Sequence, residues 1–179
     1  MKKVLFLLGQ LRDFDIEWMI ASGSRRQVRP GEVLIQEGQP VDALFLILDG
    51  SLEVSGTGVG AGSVSLGSGE VVGEMSFVDS RPPVATVKAA VNSIVLAIPR
   101  EALAARLADD VEFAARFYRS LAIFLAHRLR NTAKRLGYGK EQPLEQDTDY
   151  EDELSSEVLD SISKAGRQFD LVLQRLLTG

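Results

Sequence analysis

The sequence predicts a mostly β domain with added α structure: a double-stranded β-helix (jelly roll) flanked by N-terminal and C-terminal helices. Three observations carry this. Between residues 25 and 98, short apolar runs are separated by turn residues such as Pro30-Gly31, Gly38-Gln39-Pro40 and Asp49-Gly50, the signature of a sandwich or barrel. Residues 66–89, LGSGEVVGEMSFVDSRPPVATVKA, form a glycine-spaced passage that leaves through the apolar run Val84-Ala85-Thr86-Val87. After Pro99 the chain turns to strong helix formers as far as Leu136. Strands at this spacing suit a jelly roll, which closes most sheet edges. With 179 residues and 45% hydrophobic content, the chain can bury one good core and still carry an appendage.

At the start, Met1-Lys2-Lys3 precedes the apolar run Val4-Leu5-Phe6-Leu7-Leu8, which is too short for a signal peptide and lacks a small-residue cleavage pattern. It reads as a docking segment. Residues 5–21 read as helical, with Asp13 or Asp15 near a helix start and Phe14, Ile16, Trp18, Met19 and Ile20 as the packing face. Such a helix is a lid on a barrel end or an element that moves when a pocket fills; Ser22-Gly23-Ser24 ends it. The strand candidates are 25–28, 33–36, 43–48, 51–55, 63–66, 84–89 and 93–98. The glycine-rich run 56–62 partly matches a dinucleotide fingerprint, but strand-like residues stand on both sides and no helix follows. A flexible hairpin loop is the better reading.

A first C-terminal helix covers Arg100 to Leu107, and a second runs from Val111 to Leu136. On the second, Phe117, Leu121, Phe124, Leu125, Leu129 and Leu136 recur at three- and four-residue steps, a stripe too rich for a solvated helix. Part of it should pack on the barrel, with the rest as a dimer seam. Arg128, Arg130, Lys134 and Arg135 at its far end complement the helix dipole. Gly137-Tyr138-Gly139 stops it. The expected division is therefore a domain over 1–136, an acidic linker over 137–150 and an amphipathic helix over 151–179. In the last, Val158, Ile162, Ala165, Phe169, Val172 and Leu176 follow heptad-like steps. A helix that short must pack on its own domain, a dimer mate or another protein.

Composition narrows the function classes. There is no cysteine, and His127 is the single histidine, so thiolate metal sites, cysteine nucleophiles, imidazole triads and multi-histidine zinc sites have almost nothing to draw on. A net charge of −5 argues against general nucleic-acid affinity, and residues 141–160 carry no lysine or arginine. No apolar stretch approaches the roughly 20 residues needed to cross a bilayer. A soluble, cytoplasmic protein is expected, with neither DNA nor membrane as partner. Asp42, Glu74 and Asp79 lie among turns and strands without a nucleophile–base pair or metal spacing, so no catalytic residue is assigned.

The glycine-spaced passage has the anatomy of an anion pocket. Gly67, Gly69 and Gly73 allow tight turns, and Glu74-Met75-Ser76-Phe77 can begin a short helix whose first amides point outward. It resembles the phosphate-binding cassette of the cyclic nucleotide-binding domain superfamily, the group of catabolite-activator-like and protein kinase A regulatory-subunit-like proteins. The resemblance covers about residues 10–136. It extends upstream through Pro30-Gly31-Glu32, Leu34-Ile35, Glu37-Gly38, Asp42, Leu44-Phe45-Leu46-Ile47 and Gly50.

The resemblance implies the same jelly roll and a ligand pocket for cyclic AMP or cyclic GMP, with no other cofactor. In it Glu74 would take the ribose hydroxyl, while Gly73, Met75, Ser76, Val84 and Ala85, continuing into Thr86, would line the phosphate. Ala85 favours adenine over guanine if a nucleotide binds. One position departs from the pattern: where nucleotide-binding members carry an arginine, counting from Gly73-Glu74 places Pro83, and the nearest arginine is Arg81. The expectation is a non-enzymatic regulatory or scaffold protein whose cyclic nucleotide binding is weak or absent. The alternative is a genuine cyclic AMP or cyclic GMP sensor that uses Glu74 and an inward-turned Arg81 in place of the missing arginine and signals through its C-terminal helices. The resemblance also implies a homodimer through helix 111–136, with Leu121, Leu125 and Leu129 in the seam. Ile162, Phe169, Val172 and Leu176 would then serve either that dimer or a protein partner for helix 151–179. A helix-turn-helix is not expected in the short acidic tail.

Overall fold

The computed structural model describes residues 8–57, 62–79, 81–135 and 156–177. Two four-stranded antiparallel sheets make the jelly roll. The first contains β1 (Ser24–Val28), β8 (Ser93–Pro99), β3 (Ala43–Asp49) and β6 (Val71–Val72), in that order. The second contains β2 (Val33–Ile35), β7 (Thr86–Ala89), β4 (Ser51–Ser55) and β5 (Val64–Gly67). Phe45, Ile47, Leu52, Val54, Val72, Val87, Val95 and their neighbours fill the space between the sheets. β4 alternates buried and half-buried residues, as a strand with one face inward must, whereas β3 is buried on both faces from Ala43 to Leu48. Its outer face carries the helices.

Those helices are α1 (Asp13–Ser22), α2 (Arg100–Asp109), α3 (Val111–Arg135) and α4 (Ser156–Leu177). A second core joins Leu44, Leu46, Leu48 and Leu96 of the first sheet to Ile16, Met19, Leu103, Phe113, Phe117, Leu121, Ala165, Phe169 and Val172. The centre of this layer is Asp15. Fully buried, it caps α1 by accepting the Arg12 N–H at 2.9 Å, and it receives two hydrogen bonds from Arg116 at 2.8 and 3.0 Å. Arg106 lies 3.6 Å from the same carboxylate, its guanidinium 4.8 and 4.7 Å from the ring centres of Trp18 and Phe113, which meet edge to face. A buried charge is tolerable only when paired and bonded in this way. The hydrogen bonds to Asp15 in turn hold the Arg116 guanidinium pKa above its ordinary value.

Several expectations change in detail. The N-terminal helix is interrupted: Leu8–Gln10 is helical, Leu11 and Arg12 are not, and α1 restarts at Asp13, because the Arg12 amide is turned onto Asp15. Phe14, assigned to the packing face, is exposed and lies under the guanidiniums of Arg12 and Arg116. β7 begins at Thr86 rather than Val84, and β6 is an additional two-residue strand paired with Phe45 and Leu46. The hairpin loop of residues 56–62 does join paired strands, β4 and β5, although residues 58–61 lie outside the description.

Along α3 the stripe changes character. Phe117, Leu121 and Phe124 are buried, Leu125 is half-buried and Leu129 is 70% exposed. Ala165, Phe169 and Val172 of α4 are buried in the chain's own helical core, with Leu176 half-buried against it. Polar contacts fix that docking: Lys164 Nζ and Gln168 Nε2 donate to the Leu11 carbonyl at 2.9 and 3.1 Å, and Gln168 Nε2 also reaches Asp13. The Ile162 side chain, Leu136 and the linker 137–150 fall outside the described residues.

Candidate functional site

The cassette is built on Gly73, which ends β6 and precedes a 3₁₀ helix over Glu74–Phe77. Its φ of +89° is left-handed, and a Cβ there would stand 2.7 Å from the Ala43 carbonyl oxygen. Only glycine meets both demands without displacing backbone. The turn that follows is closed by Ser76, whose hydroxyl and N–H both donate to the Gly73 carbonyl at 2.7 and 3.3 Å. Glu74 points into the protein, 4% exposed and engaged there, while Met75 faces solvent.

The return of the loop is pinned to the turn that follows β2. The Pro83 carbonyl accepts the Gly38 N–H at 2.9 Å, and the Thr86 hydroxyl accepts the Glu37 N–H at 3.1 Å. Between these anchors Val84 is exposed and Ala85 packs on the inter-sheet core. Arg81 bonds Asp79 through its side chain, and its own N–H donates to the same carboxylate at 3.0 Å. That pair holds the Asp79 carboxyl below its ordinary pKa and the Arg81 guanidinium above its own, mainly through the side-chain hydrogen bond.

The cleft beside the loop, about 150 Å³, is lined by Pro40, Val41, Ser76, Asp79, Arg81, Pro82, Pro83 and Arg100. Of the residues singled out from sequence, it brings together Ser76 and Arg81, with Pro83 in its wall. Gly73, Glu74, Met75, Val84, Ala85 and Thr86 are neighbours in the fold but not part of the lining. Arg100 was not anticipated, because it lies outside the cassette at the first position of α2, where its N–H donates to the Asp42 carbonyl at 2.8 Å. Its guanidinium stands 5.1 Å from the Phe77 ring centre.

Residues 25–110 match the family described as "Cyclic nucleotide-binding domain". These residues belong to the cyclic nucleotide-binding domain family. Solved structures agree on the fold. A cyclic nucleotide-binding domain from Methylobacillus flagellatus is 22% identical with a TM-score of 0.65, covering 80% of this chain and 85% of that one. The catabolite activator protein of Thermus thermophilus is 23% identical with a TM-score of 0.56, covering 94% and 84%. The regulatory subunit of a cAMP-independent protein kinase A from Trypanosoma brucei is 23% identical with a TM-score of 0.54, covering 75% of this chain and 43% of that one. A comparison with curated proteins returned no match. Among the described residues, no helix of this domain or its flanks is long and apolar enough to cross a membrane, and no cluster of three metal-ligating side chains occurs.

Proposed function

We propose that this is a non-enzymatic regulatory or scaffold protein of the cytoplasm whose cyclic nucleotide-binding domain holds cyclic AMP and cyclic GMP weakly or not at all. The observation that carries the reading is the charge at the cassette exit. Pro83 stands where the family arginine is expected, and the nearest guanidinium, Arg81, is 86% exposed and turned onto Asp79. A hydrogen bond to a charged group contributes about 1.5–3 kcal/mol net, and a bidentate arginine–phosphate contact makes more than one. Its loss weakens binding by about tenfold to several-hundredfold. That a protein of this fold is described as the regulatory subunit of a cAMP-independent kinase fits regulation without the nucleotide.

One observation favours the sensor reading instead: Arg81 shares the cleft with Ser76, so a rotation away from Asp79 would bring it towards the cassette. Titration calorimetry of nucleotide-stripped protein with cyclic AMP and cyclic GMP separates the two. The expected result is no saturable heat for the native protein and a gain of at least tenfold in affinity for Pro83→Arg. The substitution keeps the carbonyl that accepts the Gly38 N–H. Micromolar binding by the native protein, abolished by both Glu74→Ala and Arg81→Ala, would establish the sensor and reject the proposal.

A further inference from the structure

The docking of α4 depends on the break in the N-terminal helix. In an unbroken helix the Leu11 carbonyl would accept the Asp15 N–H, four residues on. Here the Asp15 N–H donates to the Arg12 carbonyl at 3.0 Å, and the Arg12 N–H is held by the Asp15 carboxylate. The Leu11 carbonyl is thereby left for other donors, and it takes Lys164 Nζ and Gln168 Nε2 of α4. Those two side chains stand four residues apart and so share one face of α4. The rest of the seat is small. Between residues 164 and 177 the buried side chains are Ala165, Gln168, Phe169 and Val172, and Gln168 Oε1 has no hydrogen-bond partner among the described residues. A buried acceptor left unbonded weakens the contact that encloses it.

We propose that α4 is a releasable clasp, docked while the N-terminal helix is broken at Leu11 and Arg12, and that Asp15 sets its occupancy from a distance. Straightening the segment returns the Leu11 carbonyl to the Asp15 N–H and withdraws it from Lys164 and Gln168. A continuous helix and a docked α4 therefore exclude each other. The coupling is reciprocal: whatever holds the break favours docking, and docking favours the break. Among the described residues no hydrogen bond or ion pair joins Asp15 to α4, since its partners are Arg12, Arg106 and Arg116. One carboxylate thus links α4 to α2 and α3 without touching it. Released, α4 bares the face that carries Ala165, Phe169 and Val172. The clasp uses no residue of the cassette, so it stands whether or not a cyclic nucleotide binds.

The test uses the full chain, which has no cysteine of its own, so one introduced thiol reports the opening of its site. Ala165→Cys places the thiol under the clasp, and Ala89→Cys places it between the two sheets, where the native residue is 1% exposed. Each is titrated with a chromogenic disulfide reagent under native conditions. The A165C thiol should react about tenfold faster or more than the A89C thiol, because the clasp opens without unfolding the barrel. Asp15→Ala should speed the A165C thiol by about fivefold or more, the scale of a lost helix cap, and keep it faster than A89C in the same background. Equal rates for the two thiols would mean that α4 opens only with the whole domain, and would overturn the proposal. An A165C rate unchanged by Asp15→Ala would also overturn it. Should Asp15→Ala fail to fold, Lys164→Ala combined with Gln168→Ala reads the coupling from the other end. Trp18, the chain's single tryptophan, lies 4.8 Å from the Arg106 guanidinium, and its fluorescence emission must shift when the clasp is cut. Unchanged emission there would reject the coupling.

Discussion

The helical layer and the cassette loop use the same residue types to opposite ends. In the layer, Arg106 and Arg116 converge on the buried Asp15, both oxygens of that carboxylate are engaged, and two aromatic rings pack against one of the guanidiniums. In the loop, Arg81 and Asp79 pair at the surface, and Arg100 meets an aromatic face but, among the described residues, no acid. The first arrangement is closed and leaves nothing for a ligand. The second leaves cationic donors at the rim of a cleft. Charge density alone therefore does not mark a binding site in this protein; what matters is whether the charges have already been spent on one another.

Removing the closed arrangement should be the most damaging change. Asp15→Ala would strand two largely buried guanidiniums and uncap α1, and the loss of one partner of a buried ion pair costs roughly 3–5 kcal/mol. Urea denaturation should show a midpoint lowered by that loss divided by the slope, with the slope unchanged. A loss under about 1 kcal/mol, the scale of an exposed pair, would mean that the two regions do not differ in kind.

Next in size is the backbone of the loop itself. Gly73→Ala imposes a left-handed φ on a residue with a side chain, worth about 1–2 kcal/mol, and presses its Cβ against the Ala43 carbonyl. Gly31→Ala has a similar φ of +84° but open space around the added carbon, so it should carry the strain alone. The difference between the two denaturation midpoints measures how tightly β3 seats the cassette. Equal losses would remove steric contact from the account of Gly73.

How far these regions were legible in the sequence follows from the range of their contacts. The cassette could be read because its glycines, its 3₁₀ turn and its exit strand are consecutive. The strands could be read because turn residues punctuate them. Asp15 could be placed near a helix start, but its bonds to Arg116 span 101 positions, and no local pattern announces such a pairing. Arg100 was missed for the same reason: it follows Pro99 in an ordinary helix-start context, and only the fold brings it beside Arg81. The heptad steps of α4 showed a buried face without naming its cover, since Phe169 and Val172 fit a dimer mate, a partner or the chain's own α1 equally well on spacing. The structure packs them on the chain itself.

The smallest expected effect is the sharpest probe of the open arrangement. Because the Asp79 pKa lies below its ordinary 3.8, the carboxylate stays ionised in the native state at pH values where the unfolded chain has begun to take up protons. Its pairing with Arg81 is fully present above 3.8 and is lost as pH falls through the lowered native value. Near neutral pH the pair is therefore intact, and Asp79 both repels the phosphate of an incoming cyclic nucleotide and occupies Arg81. Asp79→Asn removes the repulsion and frees the guanidinium, at the expense of the contact that fixes its direction. Between exposed charges a few ångströms apart in water, the Coulomb effect is less than a factor of ten in affinity. Added to Pro83→Arg, the variant expected to bind cyclic AMP measurably, Asp79→Asn should gain a few-fold in affinity by titration calorimetry, shrinking as added chloride brings the screening length below about 8 Å. If Asp79→Asn instead weakens cyclic AMP binding, the acid's role is to aim Arg81, and the surface pair resembles the buried hub more than its exposure suggests.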